Sequence, residues 1–216
     1  MLFSTDRDLL LHEPQLFNDV PWLAQQRVNV TDAEFDSQDP TVVSSIDADF
    51  TAAGVEPGCI VLIDRTPHEV ITRQDSNTLT VSLPRARTTD APVPPTLTGA
   101  NHALQARTFA PQAQLVHDEL LTLLGMAPDD PTHGLTDENV ISLTTAARLE
   151  TLGTLQRIYA AVAAITENHE PFFARAERYR RSYQHALRTS TLLIDTNHDG
   201  YPEHRRSPAI THLRRA

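Results

Sequence analysis

SLTTAARLETLGTLQRIYAAVAAI (residues 142–165) and PFFARAERYRRSYQHALRTSTLLI (residues 171–194) decide how this chain is read. In the first stretch Leu149, Leu152, Leu155, Tyr159, Val162 and Ile165 recur every three or four residues, so they share one face of a helix. Ser142 suits the N-cap, where its hydroxyl accepts from an amide of the first turn. In the second stretch Pro171 suits a first helical position, because its missing N–H costs nothing there. Phe172, Ala176, Tyr179, Tyr183 and Leu187 then line one side, and Arg175, Arg178, Arg180, Arg181 and Arg188 take up much of the remainder. The five residues 166–170 break the two helices apart. Each helix would run about 30 Å at 1.5 Å per residue, which makes a scaffold for packing rather than a catalytic cradle.

Working outward, Pro111 opens a further helix to about Leu124, with Val116, Leu120, Leu123 and Leu124 on one face and Gly125 as its stop. An acidic loop follows at 126–139. Residues 84–105, rich in Pro, Thr and Ala, read as a linker. Before it the pattern is short and strand-like, at 27–30, 41–46, 59–63, 68–72 and 78–83, with turns at 64–67 and 75–77. Closely spaced strands with tight turns predict a small antiparallel β-sandwich or barrel-like module. Residues 1–24 hold no period for long and read as an extended arm, or a short helix and turn, outside any core. Trp22 is expected to pack on the β module. The fold class is therefore α+β: a β module (25–84), a linker (85–107) and an α-helical bundle (108–194), between an N-terminal arm (1–24) and a C-terminal tail (195–216).

Composition narrows the functional classes. The 216 residues include 40% hydrophobic and 21% charged, ordinary for a globular chain with a proper core. No apolar run approaches the roughly 20 residues that cross a bilayer, and the N-terminus lacks a signal pattern, so a soluble intracellular protein is expected. The single Cys59 forms no internal disulfide and sits in an apolar run, where a buried, inert thiol is expected. All 18 basic residues are arginine. Residues 1–170 carry 9 arginines against 24 acids, whereas residues 171–216 carry 9 against 4. An acidic body with a basic end suits self-association or an acidic partner surface. The net charge of −10 disfavours approach of DNA to most of the molecule, even though Tyr179 and Tyr183 interleave with the Arg178–Arg181 cluster.

Motifs of chemistry are sparse. Asp195-Thr196-Asn197-His198-Asp199-Gly200 matches the first half of a calcium loop, with oxygen ligands Asp195, Asn197 and Asp199 and a glycine at the bend. Glu203 at the ninth position fits, but the twelfth is Arg206, which supplies no carboxylate. A helix-terminating turn without metal is the other reading. The ten histidines show no helical i, i+4 pair, and no nucleophile elbow or phosphate-cradling glycine pattern occurs among the seven glycines. No catalytic residue is assigned, and the chain is not expected to be an enzyme.

The helical half resembles head–tail connector (adaptor, or neck) proteins of tailed bacteriophages. The likeness is carried by Phe109-Ala110-Pro111, the 120–125 helix end, Ser142-Leu143 through 155–161, Ala176-Glu177-Arg178-Tyr179-Arg180-Arg181 and the DxNxDG turn, over residues 105–205. Residues 49–63 also resemble a phrase that opens small β modules in phage structural proteins, with Cys59 where an acid is usual. The resemblance implies a virion protein, made in the host cytoplasm, that forms a twelve-fold ring below the portal. Such a ring extends the DNA channel without sequence-specific binding and docks the next neck or tail component. Arg175, Arg178, Arg181, Arg188, Tyr179 and Tyr183 become candidates for subunit or portal contacts. No cofactor is implied beyond the calcium candidate, and no membrane. The alternatives are a tail-completion (terminator) protein or, in another class, a monomeric nucleic-acid-binding or calcium-supported enzyme module.

Overall fold

β-branched and aliphatic runs separated by tight turns build a closed antiparallel barrel, and the class is α+β. The computed structural model describes residues 2–126, 135–167 and 170–209, in two units: residues 5–110, and residues 1–4 with 111–216. Most of the expected acidic loop, part of the 166–170 break and the end of the C-terminal tail lie outside the described residues.

The barrel strands are β1 (Gln25–Phe35), β2 (Val42–Ser44), β3 (Ile60–Ile63), β4 (Thr66–Arg73), β5 (Thr78–Ser82) and β6 (His102–Thr108), in the order β1-β2-β5-β4-β3-β6. β1 serves two neighbours: six residues between Gln25 and Ala33 pair with β6, and Glu34 and Phe35 pair with β2. Register shifts between Gln26 and Val28 and between Val30 and Ala33 bend it across that corner. Asp64 and Arg65, both at positive φ, make the two-residue turn between β3 and β4, whose twist suits a hairpin. Pro67 is tolerated in β4 because pairing with β5 begins only at Glu69, so no ladder bond is lost on that side. Phe35, Val43, Phe50, Val61, Ile63, Leu79 and Leu104 fill the interior. Cys59 is half-buried against this core, and burial pushes its thiol above the ordinary value.

Three sequence expectations for this unit are corrected. Residues 102–108, assigned to the linker and, at 108, to the start of the helical bundle, form the strand that closes the barrel, paired on one side with β1 and on the other with β3. The N-terminal segment is no extended arm: the other reading, a short helix and turn, holds as α1 (Asp6–His12), followed by α2 (Leu16–Asp19). The segment is not outside a core, since Leu9, Leu10, Leu16, Phe17 and Val20 are almost wholly buried. Buried charge also ties it down: Glu69 on β4 accepts from Nε of both Arg7 and Arg85, while Arg7 donates onward to the Arg85 carbonyl. Two arginines on one carboxylate, each hydrogen-bonded, satisfy a charge that would otherwise be expensive to bury. Trp22, expected to pack, is 53% exposed.

The second unit holds α3 (Ala110–Leu123), a 3-10 turn at Asp137–Asn139, α4 (Leu143–Ile165), α5 (Glu170–Thr189), β7 (Leu192–Ile194) and β8 (His204–Arg206). Gly125, at φ +70°, ends α3: its N–H bonds to the Thr122 carbonyl and that of Met126 to the Leu121 carbonyl. α4 is the central helix, buried continuously from Leu149 to Leu155 and again at Ile158, Tyr159 and Val162. Ile165, expected on its apolar face, is 66% exposed. α5 runs antiparallel to α4, since Tyr159 meets Phe172 and Tyr179 while Gly153 meets Tyr183. The second helix was expected to reach Ile194 but ends at Thr189. Leu192–Ile194 instead pairs antiparallel with residues 204–206, so the expected tail begins with a hairpin. Ladder bonds to β8 outweigh the helical spacing of these aliphatic residues.

Candidate functional site

α5 divides its residues sharply. Ala176, Tyr179, Tyr183 and Ala186 are buried toward α4, while Arg178, Arg180, Arg181 and Arg188 are exposed. The tyrosines, expected among the interface residues, belong instead to the α4–α5 seam: Tyr179 and Tyr183 are only 5% and 6% exposed. Tyr179 stacks on Tyr159 at 5.9 Å between centroids. Burial pushes the Tyr183 hydroxyl far above the usual phenol range.

The arginines are used unequally. Arg175 is half-buried over the Tyr159 ring, 5.4 Å from its centroid, and donates to the Tyr159 hydroxyl at 3.2 Å. Arg178 lies 4.7 Å over Tyr179 and donates to its hydroxyl at 2.9 Å. Arg180 grips Glu177 through Nε and a terminal nitrogen at 2.8 and 2.7 Å, and Arg181 Nε approaches the same carboxylate at 3.5 Å. That hydrogen bond to Arg180 holds the Glu177 carboxyl below its ordinary pKa. The outward set is therefore Arg178, Arg180, Arg181 and Arg188, with Arg175 turned inward onto an aromatic ring. Beside it, Ala160, Ala163, Ala164, Phe173, Ala176 and Arg180 help line a cavity of about 340 Å³ along the seam.

The DxNxDG segment lies in the loop that joins β7 to β8. Asp195, Asp199 and Glu203 bring one carboxylate oxygen each within 4.8 Å of the others. Each carboxylate already has donors. Asp195 accepts from the amides of His198 and Gly200 at 2.7 Å and of Asn197 at 3.2 Å. Burial alone would raise its pKa, but the amides of Gly200, His198, Asn197 and Asp199 outweigh it and hold the carboxyl low. Asp199 accepts from the Tyr201 amide and the Asn197 side chain, and Glu203 from the Thr196 amide and hydroxyl. Buried Asn139 anchors the loop by donating to the Asp195 carbonyl at 2.7 Å. Arg206, at the twelfth position, donates to the Leu124 carbonyl at the end of α3. Of the metal candidates, Asp195 and Asp199 thus converge with Glu203, while the Asn197 side-chain oxygen accepts from the Asp199 amide, within a turn closed by its own backbone amides.

Sequence reasoning missed a third cluster. Glu150, wholly buried in the middle of α4, accepts from the Ser4 amide at 2.8 Å, the Ser4 hydroxyl at 2.7 Å, the Phe3 amide at 3.2 Å and His117 Nδ1 at 2.8 Å. The Phe3 ring lies 4.6 Å from that of His117. The one hint in the sequence is that Glu150 precedes Gly153 and Thr154 by three and four residues, which puts small residues on its side of the helix. This cluster pins the chain's start to α3 and α4. No protein-family model, no curated protein and no solved structure matches the chain.

Proposed function

We propose that this chain is a structural protein of a tailed-phage virion, a head–tail connector (adaptor) whose copies form a ring below the portal. In that reading the barrel module and the helical bundle after it are the body of each subunit. The ring follows the twelve-fold order of the family it resembles, extends the DNA channel and presents a surface to the next neck or tail-terminator component. Assembly takes place in the host cytoplasm, and the product resides at the virion neck.

The observation that carries the reading is the outward arginine face of α5 on a chain of net −10. Head-to-tail contacts between unlike patches generate closed rings, and a cationic helix on an otherwise acidic subunit supplies two unlike patches. The excess of acid also suits a channel through which packaged DNA slides without being held. No described helix is long and apolar enough to cross a membrane, and the role requires neither a membrane nor a cofactor.

The test is the particle mass of the purified chain, alone and mixed with its cognate portal, by mass photometry. A stoichiometric ring on the portal is the expected result. Rings formed only with tail components would replace the connector with a tail terminator, and a monomer indifferent to both would overturn a virion role.

A further inference from the structure

Ile46 is 92% exposed, the highest value among the large apolar side chains described, and its backbone is held firmly in that position. The Asp32 carboxylate accepts from the Ser45 hydroxyl at 2.6 Å and from the amides of Ile46 and Asp47 at 2.7 and 3.1 Å. Turning Ile46 inward would break those bonds. Asp47 and Asp49, both exposed, follow it. The tip is a preorganised apolar knob followed by two acids, and preorganisation lowers the entropic cost of docking.

The α4–α5 seam carries the converse. Its cavity of about 340 Å³ has Ala160, Ala163, Ala164 and Ala176 among its lining residues. Phe173, another of them, is 61% exposed, and Ile165 at the end of α4 is 66% exposed. Arg180 lines the cavity too, and Arg181 follows it on α5 with 73% of its side chain exposed. Glu177 lines the cavity as well and is gripped by Arg180, so Arg181 leaves this edge with an excess of positive charge. An apolar groove with that edge complements an apolar knob edged with aspartate.

We propose that the Ser45–Asp47 tip of one copy seats Ile46 in the α4–α5 groove of a second copy, with Asp47 and Asp49 against Arg180 and Arg181. This rests on the ring reading above and names the surfaces that would meet. The occupant is a second copy because every chain carries both halves of the pair, and the acidic edge of one half complements the arginine edge of the other. The two patches differ, so the contact is heterologous and repeats around a ring. The charged edges set orientation, and the apolar centre supplies most of the affinity.

The test uses the full chain. Ile46→Asp should raise the concentration at which rings form, alone or on the portal, by roughly tenfold or more. Its circular dichroism and melting should match the parent, since Ile46 packs on nothing. In a Cys59→Ser background, oxidising a mixture of Ile46→Cys and Ala164→Cys chains should give a disulfide-linked dimer that neither chain gives alone. Arg181→Glu should weaken assembly, and adding Asp47→Arg should restore it. Ile46→Asp chains that form rings at the parent's concentration would overturn this contact and leave the ring reading standing. A disulfide at monomer mass in a chain carrying both cysteines would also overturn it, by giving the groove to its own tip. A parent chain that never assembles, alone or with the portal, would sink both.

Discussion

His117 on α3 donates from Nδ1 to Glu150 on α4 across 2.8 Å, and the two side chains are 3% and 0% exposed. The same carboxylate holds the amides of Phe3 and Ser4, so one side chain ties two helices and the start of the chain together. Glu150→Ala removes the acceptor and leaves buried donors without partners. We expect it to destabilise the helical unit by about 3–5 kcal/mol. Ser4→Ala keeps both amide bonds and should cost only about 1 kcal/mol. Urea unfolding followed by helical circular dichroism measures both; equal costs would mean that Glu150 is not the hub.

Gly153→Ala tests how closely α3, α4 and α5 are fitted. An added Cβ would lie 2.6 Å from Val116 Cγ1 and 3.1 Å from Tyr183 Cζ. Alanine favours a helix over glycine by about 1 kcal/mol, whereas overpacking a tight core costs about 1–3 kcal/mol. The steric effect should win, with a melting temperature below that of the parent. A rise in melting temperature would mean that Tyr183 has room to move.

Asp6 makes the barrel unit sensitive to pH. Burial raises its pKa from 3.8 to about 6, against the opposing pull of the Phe109 amide, the Thr108 hydroxyl and Arg27. A carboxyl whose folded pKa exceeds its unfolded one binds more protons in the folded state between the two values. Its contribution to stability is therefore greatest below pH 4 and is lost as pH rises through 6. Asp6→Asn keeps an oxygen for the Phe109 amide and carries no charge. The variant should gain on the order of 2–3 kcal/mol over the parent at pH 7.5 and almost nothing at pH 3.5. Chemical unfolding at the two pH values reads the difference, and an equal gain at both would exclude ionisation as the cause.

Asp195→Ala should loosen the β7–β8 hairpin, because three amides lose their acceptor in one substitution. Hydrogen exchange at Asn197, His198 and Gly200 should speed up by at least about tenfold, as an order of magnitude per 1.4 kcal/mol of lost protection implies. Chelator should leave the parent's melting temperature unchanged, since the carboxylates are already satisfied by amides and Arg206 faces the end of α3. A fall in melting temperature on chelation, reversed by calcium, would make the loop a metal site after all.

Much of this was legible in the residues themselves. The spacing of Leu149, Leu152, Leu155, Tyr159 and Val162 marks the buried side of α4 because helical period and burial coincide there. Gly125 marks the end of α3 through local backbone preference, and the turn expected at 64–67 falls on the β3–β4 hairpin, although only Asp64 and Arg65 lie outside the strands. The division of charge along the chain is a matter of composition and needs no fold.

Only the tertiary structure decided the rest, and in each case a partner distant in sequence was the cause. Residues 102–108 become a strand because β1 and β3 each offer an edge, and no local pattern announces that. Leu9 and Phe17 lie in a segment that is tied down when Glu69, 62 residues on from Arg7, captures that arginine. Spacing alone puts Tyr179 and Tyr183 on one side of α5, but it is α4 lying against that side that removes them from the interface candidates. Local sequence sets which conformations a segment prefers; which of its polar groups can be buried depends on what the rest of the chain brings to meet them.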